Sequence, residues 1–211
     1  MGRIVVTEFV TLDGVAEDPG GAEGLAGGGW SFKFDRGKEG DQFKYDEVFA
    51  SDAHLLGRNT YQAFGEAWPS RTGDFADRFN ALPKYVVSKS LEQGGWGDTT
   101  ILRGGSSAEI AQIRQRHDRD ILVSGSIELV RSLLAADLVD ELRLMVFPIL
   151  LGTGKRLFAE HVEPTAMRLA SSKPAGETVV LILQRRDDTP RAPSRAEQLE
   201  RLGAGDAAAN G

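Results

Sequence analysis

The chain has 211 residues, 41% of them hydrophobic and 27% charged, and a formal net charge of −6. That describes one globular domain with a full core, and the acidic balance excludes any general attraction to nucleic acid or to an anionic membrane surface. Cysteine is absent, which excludes disulfides and thiolate chemistry; His54, His117 and His161 lie too far apart for a ligand spacing, so no metal site is expected.

The amino end, Met1-Gly2-Arg3-Ile4-Val5-Val6, runs straight into a strand without the charged start, apolar stretch and small-residue cleavage site of a secretory signal. No run of about 18 apolar residues occurs, so no membrane span is expected and a cytoplasmic location is the default. Residues Ile4–Leu12 are rich in β-branched side chains and read as a strand, which Asp13-Gly14 breaks. From Val15 to Gly29 the chain is glycine-rich, a long loop that is either functional or a floppy insertion; Trp30 and Phe32 at its end argue that it packs on something.

Asp41–Ser51 reads as a helix with Phe43, Val48 and Phe49 as core candidates, and Ala53–Leu56 as a short buried strand. Thr60–Phe64 opens a helical turn, and Asp74–Leu82 is a short helix stopped by Pro83. Strands follow at Tyr85–Val87 and Thr100–Leu102. Ser106 and Glu109 have capping-box spacing, which starts a helix running to about Arg116. Ile121–Val123 is a buried strand, with Ile127, Val130, Leu133 and Leu134 at helical spacing behind it. Leu142–Phe147 and Thr178–Leu183 are the last strands, with no clear helix between them. Alternating strands and helices predict a mixed, mostly parallel α/β sheet covered on both faces, with an antiparallel carboxyl-terminal edge. The domain is expected to span residues 1–186. Residues 187–211 read as a mobile polar tail, in which Ser194–Leu202 has the pattern of a short helix.

Three turns have the residues to hold phosphate. In Leu55-Leu56-Gly57-Arg58-Asn59-Thr60 and Val123-Ser124-Gly125-Ser126, an apolar strand stops at glycine and a helix follows. A helix start offers free N–H groups and partial positive charge. Val87-Ser88-Lys89-Ser90 adds two hydroxyls and an ammonium at a strand's carboxyl end, where ligands of open α/β sheets sit. Each also reads as an ordinary turn: Thr60 and Ser126 suit helix caps, and Glu128 would repel a phosphate placed beside it. Gly152–Leu157 fits neither the dinucleotide fingerprint nor the P-loop.

Taken in order with Thr11-Leu12-Asp13-Gly14 and Phe147-Pro148-Ile149-Leu150-Leu151-Gly152-Thr153-Gly154, these segments resemble the dihydrofolate reductase-like superfamily. The similarity is to the branch containing the reductase domain of bacterial riboflavin biosynthesis, and it covers about Arg3–Arg185. It implies an NADPH-dependent reductase of a small heterocyclic, pterin-like or riboflavin-precursor-like substrate. The alternative is a non-catalytic nucleotide- or pterin-binding module that keeps the fold. By the resemblance, Gly57, Arg58, Asn59 and Thr60 meet the cofactor phosphates, and Ser88 and Lys89 sit near the ribose 2′-phosphate. Gly125, Ser126, Ile127 and Glu128 line the pyrophosphate and nicotinamide side, and Gly14 turns beside the nicotinamide. Val15–Gly29 corresponds to the mobile active-site loop. Trp30, Asp41, Pro148, Leu150 and Gly152 fall on the substrate side, and the last three also belong to the segment implied in a homodimer. Asp41 and Asp13 are the candidates for proton supply, although an Asp at a helix start or in a turn has a structural use as well.

Overall fold

A computed structural model describes residues 1–158 and 165–186. His161, the tail 187–211 and the helix expected at Ser194–Leu202 lie outside the described residues. The chain forms β1 (Arg3–Thr11), a 3-10 turn (Trp30–Lys33), α1 (Gly37–Ala50), β2 (Ser51–Gly57), α2 (Arg58–Ala67) and α3 (Asp74–Ala81). There follow β3 (Lys84–Val87), β4 (Thr99–Leu102), α4 (Ser107–Arg116), β5 (Asp120–Ser124), α5 (Ile127–Ala135), β6 (Glu141–Phe147), β7 (Met167–Ala175) and β8 (Thr178–Arg185).

The eight strands make one sheet in the order β4-β3-β2-β5-β1-β6-β8-β7. From β4 through β6 every pairing is parallel, and β6–β8 and β8–β7 are antiparallel. The mixed α/β sheet with an antiparallel edge is the one expected. The strand missed between β6 and β8 is β7, whose residues are of mixed polarity and mostly exposed, as an edge strand permits. Pro174 near its end is tolerated for the same reason.

Alternation along the strands sends apolar side chains to both faces. Ile4, Val6, Leu55, Ile121 and Val123 pack with Ile110 and Ile113 of α4 and Val130 and Leu133 of α5. Val5, Leu56, Val86 and Leu122 pack on the other face with Val48 of α1, Tyr61 of α2 and Phe79 of α3. A third cluster joins Trp30 to Met145 and Phe147 of β6 and Val180 of β8. The chain walks outward from β1 through β2 and β3 to β4, then returns to insert β5 between β1 and β2. This reversal leaves a crevice beyond the carboxyl ends of β1, β2 and β5, the usual ligand position in such sheets.

Candidate functional site

That crevice is a cleft of about 1280 Å³. Its walls come from β1 (Thr7, Glu8, Phe9), the loop after β1 (Ala16–Gly20, Ala22, Glu23), α1 (Asp41, Lys44, Glu47) and the starts of α2 and α5. Gly57, Arg58, Asn59 and Thr60 line it together with Gly125, Ser126, Ile127 and Glu128, so two of the three turns meet in one place.

The two turns are stitched to each other. Ser126 Oγ accepts the Gly57 N–H at 2.9 Å, and Thr60 Oγ1 accepts the Ser126 N–H at 2.9 Å. Ser126 therefore does not cap α5 as the sequence suggested. It stands in the left-handed region at φ 63°, after Gly125 at φ 59°, and its hydroxyl is spent across the turn. Neither α2 nor α5 has a side-chain cap, so both helix starts keep N–H groups for a ligand. Gly57 has an ordinary φ of −79°, and a Cβ there would meet nothing nearer than 3.6 Å. The fold alone does not require glycine at this position; a ligand lying on the backbone would. Arg58 is exposed at this edge, while Glu128 is held by Arg131 at 3.1 Å. The donor set fits a polyphosphate cofactor.

Ser88 and Lys89 do not line the cleft, although Val87, Gly104 and Gly105 do. Ser88 is buried and its Oγ accepts the N–H groups of Ser90 and Leu91, while Lys89 is exposed. Asp13 and Gly14 also stand outside the lining. Asp13 accepts the Thr11 hydroxyl at 2.6 Å and the N–H groups of Leu151 and Gly152, bonds that hold its carboxyl down at about 2. It clasps the Pro148–Gly154 turn to β1. Pro148, Leu150 and Gly152 are exposed and lie outside the cleft lining. Trp30 is fully buried, edge-on to Phe147 at 5.3 Å, with its Nε1–H donated to the Glu17 carbonyl, so it anchors the loop instead of facing the cleft. Phe32, 80% exposed, lines the cleft rim. Asp41 lines the cleft but is exposed and ion-paired with Arg36 at 2.5 Å.

Sequence reasoning missed the floor. Lys44 Nζ lies 2.6 Å from both Thr7 Oγ1 and Glu47 Oε2, and Thr7 donates to Glu47 at 3.0 Å. Glu8 lies beside this cluster, fully buried, and burial pushes its carboxyl well above the usual range. A charged residue inside Ile4–Thr11, an otherwise apolar and β-branched run, was the available signal. Asp18 was missed too: it is buried, and its carboxylate accepts the Glu23 and Leu25 N–H groups, which orders the glycine-rich loop into a wall. Among the described residues no group of acidic or histidine side chains is arranged to hold a metal ion.

The family model of the RibD C-terminal domain matches residues 3–181. The uncharacterized protein YwjB of Bacillus subtilis (strain 168) is 30% identical over 180 residues, 85% of this chain and 95% of that protein. A structure from Shewanella sp. PV-4, titled as a riboflavin biosynthesis protein by provisional assignment, aligns with TM-score 0.69 at 21% identity. That alignment covers 87% of this chain and 99% of the other. A pyrimidine reductase-like protein from Corynebacterium diphtheriae aligns with TM-score 0.61 at 15% identity, covering 89% and 93%.

Proposed function

Because the chain belongs to the RibD C-terminal domain family, we propose that it is an NADPH-dependent reductase of a small heterocyclic substrate, pterin-like or riboflavin-precursor-like. The observation that carries this reading is the convergence of two uncapped helix starts on one cleft. Backbone N–H groups at the starts of α2 and α5 would hold the pyrophosphate, with Arg58 adding a fixed forked charge. When bound, the cofactor supplies a hydride. The chain's own part is to hold two reactants in register and to shield them from water. The Asp18-ordered loop supplies the outer wall, and Lys44 and Glu8 on the floor face the space left for substrate.

Lys89, exposed just beyond Val87 at the cleft's edge, would meet the ribose 2′-phosphate. Replacing Lys89 with Ala should then weaken NADPH about ten-fold while leaving NADH nearly unchanged, the loss expected for one charged contact. Titrating nicotinamide fluorescence with each cofactor checks this, and equal losses would remove Lys89 from the site. Following NADPH oxidation with a panel of pterins and riboflavin precursors tests the whole reading. Binding without turnover of any of them would favour a module that keeps the fold without the chemistry, and no binding at millimolar NADPH would overturn both. The segment Pro148–Gly154 remains the proposed contact for a homodimer.

A further inference from the structure

Glu8 is carried into the interior at the point where one neighbour of β1 leaves it. β5 accompanies β1 only to the pair Thr7–Ser124, whereas β6 continues to Thr11. From Glu8 onward one flank of β1 is open, and the cleft borders that flank. The side chain is 5% exposed, and its Oε1 is buried with no hydrogen-bond partner among the described residues. A buried carboxyl left so incompletely bonded is costly unless it is neutral or a ligand completes its bonding.

Apart from Glu23, which is exposed on the loop, the other acids of the cleft are already engaged. Glu47 is held by Lys44 and Thr7 through Oε2 and has Arg143 3.7 Å from its Oε1, so no part of it lacks a facing charge, and Asp41 is held by Arg36. Glu17 pairs with Lys155, Glu128 with Arg131, and Asp18 with the backbone of its own loop. The charges facing Glu8 come from three elements: Lys44 and Glu47 of α1, Glu23 of the loop, and the Gly125 N–H at the start of α5. Burial is the largest influence and favours the neutral acid, as do Glu23 and Glu47, while Lys44 and the Gly125 N–H favour the carboxylate.

We propose that Glu8 is the proton donor of the cleft, delivering its proton to the oxygen or nitrogen of a substrate C=O or C=N bond while the adjoining carbon is reduced. This assignment rests on the reductase reading above. The carbon gains a hydride from the reduced nicotinamide, and the π electron pair moves to the heteroatom. That pair takes the Glu8 proton, so an O–H or N–H bond forms as the Glu8 O–H bond breaks. The carboxylate left behind recovers a proton from water. A buried, neutral acid is suited to the step because it can donate at neutral pH, where an exposed carboxyl cannot.

The test compares the full-length wild type with Glu8→Gln, which keeps shape and neutrality but cannot donate its hydrogen as a proton. Wild type should show the infrared carbonyl band of a protonated carboxylic acid at pH 7, and Glu8→Gln should lack it. NADPH affinity, read by fluorescence, should agree within about two-fold. Turnover of the heterocycle that the wild type reduces fastest should fall about 100-fold or more, and the alkaline limb of its pH profile should vanish. Ionisation of Glu8 near the ordinary 4.5 overturns the assignment, as does a variant with wild-type turnover. A ten-fold loss of NADPH affinity in Glu8→Gln would make the residue a support of the cofactor groove and overturn it equally. A wild type that binds no NADPH, or reduces nothing in the panel, overturns the reductase reading itself, and the assignment falls with it.

Discussion

His54 on β2 is fully buried against Phe79, and both ring nitrogens lack hydrogen-bond partners among the described residues. Burial first, then the positive charges of Lys84 and Arg78, pushes the ring down to about 3. The unfolded chain therefore takes up a proton near 6.5 that the folded chain refuses until about 3, so stability falls as pH drops through that window. By pH 5 the loss from this one ring is about 2 kcal/mol. Urea melts at pH 7 and pH 5 should show that difference in wild type and little of it in His54→Leu; an equal difference in both would remove His54 as the cause. The sequence alone offered His54 only as one of three scattered rings, because nothing in its neighbours announces that both nitrogens go unpaired. Glu8 was hidden differently: its type was visible, but its isolation depends on where β5 ends, which only the assembled sheet shows. Gly57, Arg58, Gly125 and Ser126 were legible because backbone turns at strand ends have a strong local signature.

Elements with strong local rules were the easiest to read. The capping box of α4 forms as its spacing predicts, with Glu109 N donating to Ser106 Oγ and Ser106 N donating to Glu109. The start of α1 was read four residues late, since it begins at Gly37 with no side-chain cap to mark it. β7 was missed because an exposed edge of mixed polarity carries no periodic signal. The pairing of the α2 and α5 starts is non-local: Thr60 and Ser126 are 66 positions apart. Thr60→Val keeps the shape but leaves the Ser126 N–H without its acceptor. It should destabilise the fold by about 1 kcal/mol and loosen both helix starts. Denaturant unfolding gives the first quantity, and amide exchange at Gly125–Glu128 reads the second. Unchanged exchange would show that the clasp is redundant.

At the scale of the whole molecule, one sheet carries two different halves. The parallel half supplies the turns from which α2 and α5 rise, and β6, where the two halves meet, anchors the loop that walls the cleft by packing Phe147 against Trp30. A ligand that binds only the folded chain stabilises it by about 2.7 kcal/mol at one hundred times its dissociation constant. For a chain of this size each kcal/mol raises the melting temperature by roughly 2–4 °C. NADPH at that excess should thus raise it by about 5–10 °C, and a thermal scan without such a rise would argue against a preformed cofactor groove. The alternation of strands and helices made the parallel half readable, whereas the anchoring of the loop on β6 depends on aromatic contacts between segments more than a hundred residues apart. The anchoring of the loop through Trp30 has an evolutionary consequence. Ala16–Phe34 forms a wall ordered within itself by Asp18 and fastened to the sheet by the Trp30 indole, Phe34 and the Glu17–Lys155 pair, while the turns at Gly57 and Gly125 belong to other segments. A relative's wall grafted onto this scaffold with those fastenings kept would change what enters the chamber without rebuilding the turns beneath it, so new substrates could arise by exchange of a single short stretch.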